Sequence, residues 1–125
     1  MDLKTLEAAG INTSELMQTL MDSEDVLKVV LDKFLEDKNF SELERIFSND
    51  GVDIDYKAVE LYAHTLKGAS GTLEMTCLQS CLQALVDDVR AGRYDKLKED
   101  FILVSVEYNS IIKAISDWKA TEGIS

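Results

Sequence analysis

His64 is the only histidine of the chain. It stands in the segment HTLKGASG (64–71), three residues before Lys67, four before Gly68 and seven before Gly71. An imidazole with one unprotonated nitrogen is a competent nucleophile toward a phosphoryl group near neutral pH. The product carries charged equatorial oxygens, and a nearby ammonium offsets that charge. On a helix, Lys67 lies one turn from His64, close enough for its ammonium to reach the space above the ring. The glycines need a separate reason, because each costs about 1 kcal/mol relative to alanine in a helix interior. At Gly68 the missing side chain leaves room for another protein to bring a phosphorylated group in line with His64. A lone histidine beside a surface lysine is ordinarily incidental. Two helix-interior glycines with no evident packing purpose favour the chemical reading.

These residues must be held by a helix whose other face is buried. Val59, Tyr62, Ala63, Leu66, Ser70 and Leu73 recur at helical spacing and predict the core stripe. At ~100° per residue His64 falls well away from it, on a face shared with Leu61, Gly68, Gly71 and, past a turn, Met75. That face is the expected partner-binding surface. Upstream, SNDGVDID (48–55) supplies Gly51 for a helix end and Asp53 or Asp55 for the next start. With Asp55 as cap, Ile54 and Val59 are spaced for a hydrophobic staple. A turn near Glu74 to Thr76 leads to a helix ending at Gly92, with Arg90 placed near its C-terminal dipole.

The remaining elements complete a bundle around this helix. Leu97, Phe101, Val104, Tyr108, Ile111 or Ile112, Ile115 and Trp118 give the most regular amphipathic stretch. SEDVLKVVLDKFLED (23–37) predicts a helix capped by Ser23, with Leu27, Val30, Leu31 and Phe34 buried. Its phase then fails, because Phe40, Leu43 and Phe47 point to another face. A break near Lys38 to Phe40 is expected, and Ser41 with Glu44 has capping-box spacing. Leu3 and Leu6 mark a short first helix, and NTSELMQTLM (12–21) offers Thr13 or Ser14 as the cap of a second. These two are expected to pack over one end of the bundle. The fold expected is all-α: an antiparallel four-helix bundle (23–120) preceded by an N-terminal helical cap (1–22), in one domain spanning 1–125.

Composition removes several function classes. The 125 residues are 46% hydrophobic, with no proline and six glycines, which suits one helical domain with its own core. A net charge of -11 argues against binding nucleic-acid phosphates, which requires clustered Lys and Arg. It equally disfavours an anionic membrane surface. No apolar run approaches the roughly 20 residues that span a bilayer. The N-terminal MDLKTLEAAG lacks the basic start and apolar core of a signal peptide, so a cytoplasmic location is expected. Nothing resembles a Gly-rich nucleotide loop, which disfavours a kinase. Cys77 and Cys81 cannot fill a tetrahedral zinc site, and no second Cys or His cluster supplies further ligands. They are expected to be buried, reduced thiols on the face of Leu78, Leu82 and Leu85.

AHTLKGASGTL (63–73) resembles the signature of histidine-containing phosphotransfer (HPt) domains, roughly His-x-x-Lys-Gly-x-Ser/Ala-x-x-Leu/Ile/Phe-Gly-Ala. His64, Lys67, Gly68, Ser70 and Leu73 match. The resemblance extends more loosely to FLED (34–37) and CLQALVDDVRAG (81–92). It implies a four-helix bundle that accepts a phosphoryl group on the histidine from a receiver-domain aspartate and passes it to another receiver. It also implies response-regulator receivers and a hybrid histidine kinase as partners, no cofactor bound by this chain, and magnesium on the receiver. Where the family has Gly-Ala, this chain has Glu74 and Met75. Glu74 is expected to repel some acidic partners, and Met75 to enlarge the apolar docking patch. A monomer is expected, and the initial Met without linker composition favours a free-standing protein. The alternative is a non-phosphorylated helical module that binds a partner through Leu61 and Met75.

Overall fold

A computed structural model of the chain describes residues 2–48 and 53–122. Among these residues the regular structure is helical, with seven α-helices: α1 (Lys4–Ala8), α2 (Thr13–Thr19), α3 (Glu24–Glu36), α4 (Asn39–Phe47), α5 (Tyr56–Thr72), α6 (Thr76–Arg90) and α7 (Leu97–Thr121). A 3-10 turn, Tyr94–Lys96, precedes α7. Two expected caps form. Ser23 Oγ accepts the N–H of Val26 at 3.2 Å, and Asp55 Oδ1 accepts that of Ala58 at 3.1 Å. Gly51, the expected helix stop, lies outside the described residues.

Two other expected caps are replaced. Asn12, rather than Thr13 or Ser14, caps α2 through a 3.2 Å bond from Glu15 N–H. Thr13 is buried, and its hydroxyl donates to Glu7 Oε1 at 2.8 Å. The predicted break between α3 and α4 is present but falls at Asp37 and Lys38, slightly before the expected Lys38 to Phe40, and the extended backbone of Asp37 ends α3. Asp37 Oδ1 accepts the N–H of Asn39 at 2.8 Å, which starts α4 earlier than the capping-box spacing implied. Ser41 therefore lies inside the first turn and donates to Lys38 O at 2.8 Å.

Helix α5 packs on α4 and α6, and α6 packs on α7. Aromatic contacts between α4 and α7 close the four. Phe40 stacks on Tyr108 with centroids 3.9 Å apart, and Phe47 on Phe101 at 4.6 Å. Phe34 of α3 adds to this cluster through Tyr108. Within α5, Val59, Ala63, Leu66 and Ser70 are buried. Full burial of a Val or Leu side chain is worth about 1.5–3 kcal/mol. Val59 and Leu66 together therefore outweigh the ~1 kcal/mol cost of each helix glycine, and α5 stays intact through Gly68 and Gly71.

The turn after α5 carries the chain's departure from Gly-Ala. Glu74 has φ +57°, its N–H donates to Gly71 O at 3.1 Å, and Met75 N–H donates to Ser70 O at 2.9 Å. This is a Schellman ending with glutamate in the left-handed position that usually belongs to glycine. The N-terminal segment crosses the turn: Asn12 N–H donates to Glu74 O at 2.8 Å, and Thr76 N–H to Gly10 O at 3.1 Å. Leu6, Ile11, Leu16 and Met17 join the core from this side, and α1 packs on α7. At the other end of α6, Gly92 (φ +76°) takes the same left-handed position, with Arg93 N–H donating to Asp88 O at 2.9 Å.

Candidate functional site

His64 is exposed on the outer face of α5, as its phase predicts. It lies between two polar bridges from α5 to α6. One turn before it, Glu60 Oε2 accepts from Arg90 Nε at 2.6 Å. One turn after it, Lys67 Nζ donates to Gln83 Oε1 at 2.9 Å. Glu60 and Lys67 are two turns apart on α5, and Gln83 and Arg90 are two turns apart on α6, so the antiparallel helices run in register across the site. Arg90 lies in the last turn of α6 as expected, but its guanidinium is committed to Glu60 rather than left to the helix dipole. Both partners of that pair are substantially exposed, so its contribution to stability is small.

Lys67 is half-buried, with its ammonium on the α6 side of the site. Gln83 completes a chain by donating from Nε2 to Asp87 Oδ1 at 2.8 Å. Neither Gln83 nor Asp87 was singled out in the sequence. Their i, i+4 spacing on α6 was visible there, but the α5–α6 register that brings Gln83 to Lys67 was not. Beside His64 an open depression is lined by Lys57, Glu60, Leu61 and Arg90. Leu61 is 59% exposed and gives the depression an apolar wall; Ile102, Leu103 and Val106 of α7 are exposed to the same degree.

The two glycines differ. A Cβ at Gly68 would meet no atom within 4 Å, so helix packing does not require glycine there. At Gly71 a Cβ would meet the side-chain amide of Gln79 from α6, the far end of an exposed, flexible side chain that can move aside. Met75 requires a correction. It is 0% exposed, sealed beneath the crossing N-terminal segment, and so contributes no apolar docking surface. Met75 thus leaves the expected partner-binding face for the core, while Leu61, Gly68 and Gly71 remain on the His64 side of α5. Glu74, in turn, occupies a strained turn position and bonds through its backbone to the N-terminal segment.

The cysteines also differ from expectation. Cys77 is exposed and Cys81 half-buried, because Leu78, Leu82 and Leu85 take the buried stripe one position further on. Burial, with the Glu107 carboxylate second, raises the Cys81 thiol above its ordinary range and keeps it protonated. Among the described residues no group of three or more Cys, His, Asp or Glu side chains is arranged to hold a metal ion.

The all-α bundle presents one exposed histidine, with a lysine and an open glycine a turn away. Residues 15–117 match the family model of the Hpt domain. The chain belongs to the Hpt domain family, and its role lies in phosphotransfer within two-component signalling. Domains of this family are phosphocarrier modules that interact with receiver domains and kinases. No curated protein and no solved structure matches the chain. Among the described residues no helix is long and apolar enough to cross a membrane.

Proposed function

We propose that His64 is the phosphoacceptor of a phosphorelay, taking a phosphoryl group from the aspartate of one receiver domain and passing it to another. The observation that carries this reading is the exposed imidazole beside the open space at Gly68. In the forward step a ring nitrogen attacks phosphorus, the P–N bond forms, and the P–O bond to the receiver breaks. The aspartate leaves as carboxylate, and the second ring nitrogen keeps its proton. Lys67 and Lys57 supply positive charge near His64 in an otherwise acidic chain, which favours approach of a dianionic phosphoryl group. Leu61 and Gly68 form the contact surface for the receiver. The chain acts as a carrier, with no nucleotide machinery of its own and with magnesium held by the receiver. We further propose a cytoplasmic monomer, acting as one domain over residues 1–125 and also receiving phosphoryl groups from the receiver of a hybrid histidine kinase.

The test is intact mass after incubation with a phosphorylated receiver. One acid-labile phosphoryl adduct is expected on the wild-type chain, and none on His64→Gln, whose helical circular dichroism should be unchanged. A labelled His64→Gln variant refutes the assignment. No adduct with any receiver encoded in the same genome selects a non-phosphorylated interaction module.

A further inference from the structure

Charge at position 67 helps a phosphoryl group only if the ammonium is held at the edge of the His64 surface. A lysine side chain left to itself spreads over many rotamers. Here Nζ is fixed on Gln83 Oε1 at 2.9 Å. A glutamine amide can present either end, but only its carbonyl accepts from an ammonium. Asp87 removes the ambiguity. Its carboxylate only accepts, it lies one turn further along α6, and it takes Gln83 Nε2 at 2.8 Å. The amide is thereby oriented with its oxygen toward Lys67.

We propose that Gln83, oriented by Asp87, is a positioning residue that holds the Lys67 ammonium at the phosphoryl site without neutralising it. The inference rests on the reading of Lys67 as the group that offsets phosphoryl charge. A carboxylate at position 83 would also hold the ammonium, but as an ion pair that competes with the incoming phosphoryl oxygens. A neutral carbonyl anchors the side chain and leaves its full charge for the transfer. The carboxylate of this network sits one turn further along α6, at Asp87, where it orients the amide rather than the lysine.

The experiment measures single-turnover transfer from a phosphorylated receiver as a function of receiver concentration. Lys67→Ala should slow the maximal rate by about 10-fold or more. Gln83→Leu should slow it by about 3- to 10-fold, as for a displaced catalytic group. The half-saturating receiver concentration and helical circular dichroism should stay at their wild-type values. In the Lys67→Ala background, Gln83→Leu should cost nothing further, because the group it positions is gone. Asp87→Ala should reproduce part of the Gln83→Leu loss, and Asp87→Asn, whose amide can present either end to Gln83, should restore the rate only in part. Gln83→Glu should be slower than wild type through its ion pair. A wild-type rate for Gln83→Leu, or a loss that adds in full to that of Lys67→Ala, overturns the proposal. A wild-type rate for Lys67→Ala overturns instead the reading of Lys67 itself and takes the positioning role with it.

Discussion

Replacing Gly68 by glutamine should raise stability and block function at once. In a helix interior the change from glycine to glutamine is worth roughly 0.5–1 kcal/mol. Nothing offsets that gain here, since a Cβ at this position meets no atom within 4 Å. For 125 residues, with an unfolding entropy of about 2.1 cal/mol/K per residue, this corresponds to a rise in Tm of about 2–4 °C. Helical side chains lean toward the helix N-terminus, so the new side chain would lie over the preceding turn, which carries His64. Transfer from a phosphorylated receiver should fall by about 10-fold or more, by analogy with other losses of reactive alignment. A small phosphoramidate needs no protein docking and should still label His64. The assays are a thermal melt by circular dichroism and two labelling time courses, one per donor. A lower Tm would mean that Gly68 is needed for packing, against the open space around it. Unchanged receiver transfer would place the docking surface elsewhere on the molecule.

Two further substitutions test the turns at either end of α6. Glu74 holds φ +57°, a conformation that costs a non-glycine residue about 1–2 kcal/mol. Part of that is returned as glycine's greater freedom in the unfolded chain. Glu74→Gly should therefore stabilise by about 0.5–1 kcal/mol with labelling of His64 unchanged, and a lowered melting temperature would show that the carboxylate has a structural partner. At the other end, burial, together with a hydrogen bond to the neighbouring Asp88 and its negative charge, pushes the Asp100 carboxyl up to about 7. A carboxyl whose folded value exceeds its unfolded one binds its proton more tightly in the native state. Its contribution is thus largest below pH about 4 and is lost as pH rises through about 7. Asp100→Asn, which mimics the protonated acid, should flatten the decline in urea midpoint over that window and raise the midpoint above it. A variant that keeps the wild-type pH profile would exclude Asp100 as the source.

What the sequence determined by itself is what depends on neighbours a few residues away. The phase of α5 is set by Val59, Ala63, Leu66 and Ser70, and it was enough to place His64 outside. The caps Ser23 and Asp55 and the stop at Gly92 bond to backbone groups within five positions, so the segment alone specifies them. Tertiary structure decided whatever required two distant segments to meet. Met75 reads as exposed from the α5 phase, but it is buried because residues 10–12 cross the turn and cover it. Thr13 reads as a cap, but its hydroxyl goes to Glu7 and leaves the task to Asn12. Gly68 and Gly71 look alike in the chain, and only the packing of α6 brings the Gln79 amide over Gly71 and leaves Gly68 open. Lys67 reads as reaching over the His64 ring, yet the register between α5 and α6 sets its ammonium on Gln83. Local hydrogen bonding and periodicity act over one or two turns and are written in consecutive residues. The contacts that finish the site act through space between helices, and only their packing fixes them.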